Sequence, residues 1–324
     1  MGKYYDPDLN SLFKKCNDDE LLDIVDIILK NSQNKLTKDK HFQKGGFYPK
    51  NYIPSLVHEI RRMGSNDIAT FLRGEGVSYS EIVEDVADKI KLPNVIREDC
   101  DDVASLEKEI LIYMMEKAYE KMTKEEKANF EKSFKEVGYS EFGNFSSIPF
   151  SIGLISATIN ASGFFAYKMT AIVANAIVKQ ILGRGLSFAF NAGMMRGISI
   201  LAGPVGWAIS ALWLGIDIAS PATRTTIPLV ILIASLRMKK EAEKREKLNE
   251  KLQIADTRSD PYSILEIFPE DSDEVIRKAY YSKCKKFHPD KFASQGLELQ
   301  IWAEDEFKKI NNAYETIQKE RLRR

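Results

Sequence analysis

The chain has 324 residues, with 47 basic and 47 acidic side chains, a formal net charge of zero and 44% hydrophobic residues. That balance belongs to a globular protein of two or three domains, and it excludes a whole-molecule field that would gather the chain onto nucleic acid or an anionic membrane. Three cysteines (Cys16, Cys100, Cys284) and three histidines (His41, His58, His288) cannot build a disulfide framework and lack the spacing of a zinc site, so no metal or other cofactor is expected, and no Ser/His/Asp or Cys/His arrangement points to an enzyme.

The opening MGKYYDPDLN has no apolar h-region, which predicts a chain on the cytosolic side. Leu9, Leu12, Phe13 and Cys16 form one helical stripe and Leu22, Val25, Ile28 and Leu29 the next, with Asn17 and Asp18 between them as helix starters. The polar stretch 31–50 lacks an apolar period and is expected to be a long connection. Helical pattern returns at Tyr52, Leu56, Ile60 and Met63, again at Ile82, Val83, Val86 and Ile90, and then over Leu106–Met122 and Thr123–Val137. Thr123 and Glu126 have the spacing of a capping box. Residues 1–140 therefore read as a multi-helix region.

Composition changes abruptly at Glu141. No charged residue occurs over 142–167 or 197–216, and the block 142–236 holds Lys168, Lys179, Arg184, Arg196 and Arg224 against Asp217 alone. The two runs reach the length of a bilayer span. With both ends in the cytosol, however, a two-span hairpin would put four basic residues on the far side, against the positive-inside rule, and the third run, Thr225–Leu236, is too short to cross. Three readings of the Gly/Ala-rich block, assigned to 141–238, stay open: helices in a protein core, helices on a membrane surface, and true spans. Trp207 and Trp213 fit either core packing or an interfacial anchor.

The mixed-sign segment RMKKEAEKREKLNEK, Arg237–Lys251, places Glu241 four residues before Arg245 and Glu243 four before Lys247, the spacing of an exposed helix. Residues 239–258 are accordingly expected to be a charged helical connector. The glycine-flanked Arg73-Gly74-Glu75-Gly76 and Gly183-Arg184-Gly185 read as tight turns rather than phosphate cradles, because neither follows a strand.

Residues 259–324 have a pattern of their own. Asp260-Pro261-Tyr262 opens a short helix, and Asp271 and Glu274 suggest the start of a second. Along that second helix Ile276, Ala279, Tyr280, Cys284 and Phe287 share one face, while Arg277, Lys278, Lys285 and Lys286 lie elsewhere. His288-Pro289-Asp290 must break it, since proline excludes the preceding residue from helical backbone. A final helix carries Ala303, Phe307, Ile310, Ala313, Tyr314 and Ile317 on one apolar face. Two antiparallel helices packed through these stripes put the His-Pro-Asp turn at one end, with a basic flank beside it.

The segments DPYSILEI, IRKAYYSKCKKFHPDK and EFKKINNAYETI, in this order, resemble the J-domain of DnaJ-type co-chaperones, and the stretch from Lys291 to Trp302 looks most like the DjlA branch. The resemblance implies an all-α helical hairpin and a DnaK-type Hsp70 partner whose ATP hydrolysis it stimulates. It further implies that Asp290 contacts an Hsp70 arginine, that His288 and Pro289 shape the loop, and that Arg277, Lys285, Lys286 and Lys291 give basic complementarity. Tyr281 and Ser282 replace residues that are usually basic there. Lys283 stands at a position usually apolar, where its stem is expected to lie along the core with the ammonium outside.

Residues 1–238 resemble the YaaW family of bacterial proteins, through DPDLNSLFKKCNDDELLDIV, LVHEIRRMGSNDIATFLRGEGVSYSEIVEDVADKIKL, GPVGWAIS and RTTIPLVILIASLR. That family lends no activity. The expectation is thus an all-α co-chaperone in which the first module supplies targeting or binds an unidentified client, in the cytoplasm or at the cytosolic face of a membrane through 142–236, without nucleic acid. The alternative is a membrane-associated or structural helical protein whose apolar block is the effector and whose J-domain is an accessory.

Overall fold

The computed structural model describes residues 4–64, 76–142, 150–161, 163–186, 206, 223–253, 260–292 and 297–322. Among them every regular element is helical, as the all-α reading expected. Helix α1 (Pro7–Phe13) starts at Asp6, whose carboxylate accepts from the N–H groups of Asp8 and Leu9. Helix α2 (Asp18–Lys30) starts in a capping box: Asn17 accepts from the Glu20 N–H at 2.9 Å and Glu20 accepts from the Asn17 N–H at 2.8 Å.

The stretch 31–50 is more ordered than its composition suggests. It holds a 3₁₀ turn (Leu36–Lys38), helix α3 (Lys40–Gly45) and a second 3₁₀ turn (Pro49–Tyr52). The cause is local: Asp39 caps α3 through the N–H groups of His41 and Phe42, and Leu36 and Tyr52 are buried anchors on either side. Helices α4 (Ile53–Met63), α5 (Tyr79–Lys89), α6 (Asn94–Glu98), α7 (Val103–Lys121) and α8 (Lys124–Phe142) come next. At the head of α8, Glu126 accepts from the Thr123 N–H at 2.8 Å and Thr123 accepts from the Glu126 N–H at 3.3 Å, completing the expected capping box.

Helices α9 (Ile152–Ala161), α10 (Gly163–Leu182) and α11 (Thr223–Gln253) come from the apolar block and the charged segment after it. Helix α11 is the central element, packing against α2, α5, α7 and α10. Every residue from Ile227 to Leu236 is buried. A helix apolar all round its circumference needs a protein or lipid sheath, and here other helices supply it. Leu154 and Ile155 on α9 and Tyr167, Met169 and Val173 on α10 belong to the same core as Leu9, Ile24, Leu56 and Ile110. Most of the described apolar side chains of 142–236 are thus core, with Ile152 left exposed, and among the described residues no helix is long and apolar enough to cross a membrane. Arg73, Gly74, Glu75, Arg196, Trp207 and Trp213 lie outside the described residues.

Helix α11 also runs without a break from the apolar run into the charged segment. No cap or breaker marks Leu236–Arg237, so the change in composition changes what the helix touches rather than its course. Exposed side chains were expected from Arg237 onward, but the first of them turn inward. The Arg237 Nε donates to Glu107 Oε2 at 2.6 Å, and Lys239 and Lys240 reach Glu20 at 2.6 and 2.8 Å. Glu243 pairs backwards with Lys240 at 3.0 Å, on the side opposite to the anticipated Lys247. Arg184 donates to Asp23 at 2.8 Å and also to Asp26, so its glycine-flanked turn ties the end of α10 to α2.

Candidate functional site

The C-terminal hairpin comprises α12 (Pro261–Leu265), α13 (Asp273–Lys286) and α14 (Leu297–Leu322), with a 3₁₀ turn (Pro289–Phe292) between the last two. Asp260 caps α12 by accepting from the Ser263 N–H at 2.9 Å, with Pro261 in the first turn. The cap of α13 is Ser272, one residue beyond the expected Asp271; the Asp271 carboxylate instead accepts from the Phe268 N–H at 2.8 Å and tightens the preceding loop.

Tyr262, Leu265, Ile267, Ile276, Phe287, Ile310, Ala313 and Ile317 form a separate small core, with Ala279, Tyr280, Cys284, Phe307 and Tyr314 packed around it. Tyr280 and Tyr314 stack at 4.0 Å with ring planes 9° apart, and the Tyr280 hydroxyl donates to Asn311 at 3.0 Å, which fixes the register of α13 on α14. Arg321 closes the end remote from the turn, donating to Asp273 at 2.7 Å and to the Pro269 carbonyl at 2.8 Å. Lys283 keeps a largely covered side chain and ends on Glu266. Burial pushes the Cys284 thiol above its ordinary range, so it remains a protonated, small packing group.

Ala303 departs from its expected place. It lies in the main core with Phe292, not in the hairpin core, while Trp302 touches both. The first turns of α14 therefore belong to the junction between hairpin and N-terminal region. Periodicity shows that a residue is on an apolar face but cannot say which neighbour covers it.

The turn itself is built on Phe287. That side chain is buried, its ring lies edge-on to Trp302 at 6.0 Å, and its N–H donates to Lys283 as the last bond of α13. His288 comes next, exposed, with its ring edge-on to Phe307 at 5.8 Å. The Lys291 N–H then donates to the His288 carbonyl at 3.0 Å, closing the 3₁₀ turn around Pro289 and Asp290. The backbone of the His-Pro-Asp triplet is thus held at both edges by packing. The side chains of Pro289 and Asp290 lie outside the described set.

Of the four basic residues singled out in the sequence, Arg277, Lys286 and Lys291 are exposed and Lys285 is half-buried. Lys285 and Lys291 contact the bend between α6 and α7, a relationship that the sequence did not indicate. Lys285 Nζ lies 3.0 Å from Asp101 Oδ1 and donates to the Asp99 carbonyl at 3.0 Å, and Lys291 Nζ lies 2.8 Å from Asp99 Oδ2. The hydrogen bond from Lys291 holds the Asp99 carboxyl below the usual carboxylate range, and the bond to Asp101 raises the Lys285 ammonium. Among the described residues no group of His, Cys, Asp and Glu could hold a metal ion. The arrangement is a turn with a lysine on either flank.

Residues 260–324 match the DnaJ domain family. Over 253 residues the chain is 35% identical to a UPF0174 protein of Helicobacter pylori strain J99, an alignment spanning 76% of this chain and 97% of that protein. A second Helicobacter pylori UPF0174 protein, from strain 26695, is 30% identical over 212 residues, 64% of this chain and 98% of the relative. The hairpin region is 36% identical over 67 residues to the co-chaperone protein DjlA of Vibrio parahaemolyticus, covering 20% of this chain and 24% of that one. No solved structure was found to match the chain.

Proposed function

The chain belongs to the UPF0174 family and carries a DnaJ domain over residues 260–324, and on that premise we propose that it recruits a DnaK-type Hsp70 and stimulates its ATP hydrolysis. A DnaJ domain supports a co-chaperone role and an Hsp70 partner in general; the stimulation and the division of labour within this chain are our reading. The observation that carries it is the His288-Pro289-Asp290 turn, held between Phe287 and Lys291 at one end of a hairpin whose register is fixed by Tyr280 and Tyr314.

In this reading Asp290 provides the charge-assisted contact to the Hsp70, and Lys285, Lys286, Lys291 and Arg277 steer the approach. No covalent bond is made or broken in the chain itself, so it is not an enzyme; the chemistry belongs to the partner. The UPF0174 region selects the place or the client.

Single-turnover ATP hydrolysis by a DnaK-type Hsp70, with saturating full-length chain, tests this. The unmodified chain should accelerate hydrolysis, and Asp290→Asn and His288→Gln should remove the acceleration. Equal stimulation by Asp290→Asn would refute the mechanism. The competing reading, an apolar block acting on membrane, gains little from α9, α10 and α11, most of whose described apolar side chains are buried in the core. Retention in the membrane pellet after an alkaline wash would reverse that preference.

A further inference from the structure

We propose that the acidic bend at Asp99–Asp102 is an intramolecular dock for the basic face of the DnaJ turn, holding that face away from Hsp70 until the dock opens. The proposal rests on the co-chaperone reading above and adds a regulatory state to it.

The contact falls on one basic residue on either side of the turn. Lys285 precedes His288 by one helical turn and Lys291 directly follows Asp290, and these are the two that meet Asp101 and Asp99; Lys286, also beside the turn, and the more distant Arg277 stay exposed. A surface that is acidic and seated on these lysines occupies the same charges that would steer an Hsp70 to the turn, so both cannot be engaged at once. The charges of Lys286 and Lys291 also act on Glu109, on the α7 face beside the bend.

Asp99 has little local reason to be there. Asp102 caps α7 by accepting from the Ser105 N–H at 2.8 Å, but Asp99 sits at the carboxyl end of α6, where a negative charge opposes the helix dipole. Its charge is offset by Lys291 from the other end of the chain. An apolar contact accompanies the charges: Phe292, the residue after Lys291, is 6% exposed and lies in the N-terminal core with Ala303. The C-terminal edge of the turn is therefore anchored on the module it would otherwise face away from.

The strength of the dock suits release. The Lys285–Asp101 and Lys291–Asp99 side chains are 41%/70% and 39%/56% exposed, and ion pairs in that environment are individually weak and screened by salt. A client or surface bound by the UPF0174 region need shift the helices at the bend only slightly to separate them.

The test uses the full chain and Asp99→Asn/Asp101→Asn, checked by circular dichroism for native helicity. The first readout needs no Hsp70: backbone hydrogen exchange over 285–292 should quicken in the double variant, and in the unmodified chain when salt is raised. The second is single-turnover ATP hydrolysis at sub-saturating chain, where the double variant should stimulate about two- to ten-fold better. Unchanged exchange, in the variant and in salt, would overturn the dock. Faster exchange with stimulation equal to that of the unmodified chain would overturn its inhibitory role. Faster exchange with no stimulation by either protein would refute the co-chaperone reading itself, and this proposal with it.

Discussion

Arg237 and Glu107 meet across 130 residues of sequence, the guanidinium Nε donating to the carboxylate at 2.6 Å, with the carboxylate 1% and the guanidinium side chain 17% exposed. The same carboxylate accepts from the buried Tyr79 hydroxyl at 2.6 Å. This junction joins α5, α7 and α11 at the point where α11 passes from apolar to charged. Removing one partner of such a pair leaves a buried charge uncompensated. Arg237→Met should therefore lower stability by about 3–5 kcal/mol, and adding Glu107→Gln should return at least half of the loss. Urea unfolding followed by circular dichroism measures both. A loss below about 1 kcal/mol for the single substitution would mean that water reaches the site and solvates Glu107.

What the sequence made legible divides by distance along the chain. The helix start at Asn17, the capping box at Thr123/Glu126 and the Asp260-Pro261 helix start depend on neighbours three residues apart, and the structure has all three. The hairpin face of Ile310, Ala313 and Ile317 was legible for the same reason: helical periodicity is local. Arg184 with Asp23 and Lys285 with Asp101 are separated by 161 and 184 residues, and no spacing rule links them. The apolar block was ambiguous because a helix sheathed by lipid and one sheathed by protein need the same residues; packing of α11 against α2, α5, α7 and α10 decides it for the part described. In the candidate site the turn and its basic flank were legible, but its intramolecular partner was not.

Gly76, the described member of the glycine pair in Arg73-Gly74-Glu75-Gly76, adopts φ +70°. A Cβ there would stand 2.8 Å from the Arg61 backbone, next to the bond from the Val77 N–H to the Arg61 carbonyl. Positive φ and a rigid backbone obstacle both require glycine. Gly76→Ala should cost about 1–3 kcal/mol, measured as a lowered midpoint of thermal unfolding. A neutral result would show that the segment before α5 can shift away from α4 freely.

Glu116 on α7 gives a pH dependence of one sign. Burial, then repulsion from Glu109 and Glu120, raises its pKa from 4.5 to about 7. An acid whose folded pKa is raised holds its proton longer in the folded chain, so its contribution to stability declines as pH rises from 4.5 to about 7 and is constant above. Glu116→Gln should therefore be neutral near pH ~4 and stabilise by about 1–3 kcal/mol at pH ~8. Denaturant titrations at several pH values would show the gap opening across that interval, and a gap independent of pH would assign the effect to packing.

Glu20 gives the opposite sign, because its burial is outweighed by donors. Burial alone would raise its pKa, but hydrogen bonds from Lys239 and Lys240, with the Asn17 N–H, bring it below the ordinary glutamate value of 4.5. An acid depressed in the folded state contributes stability that is complete above its unfolded pKa and is lost as pH falls through the folded one. Glu20→Gln keeps the length of the side chain and its place in the α2 capping box but removes the charge that faces both lysines. It should cost about 1.5–3 kcal/mol at neutral pH, and the difference from the unmodified chain should shrink on acidification below about pH 4. If the loss stayed undiminished down to the lowest pH at which the chain remains folded, the α2–α11 junction would be held by the geometry of the cap rather than by the lysine charges.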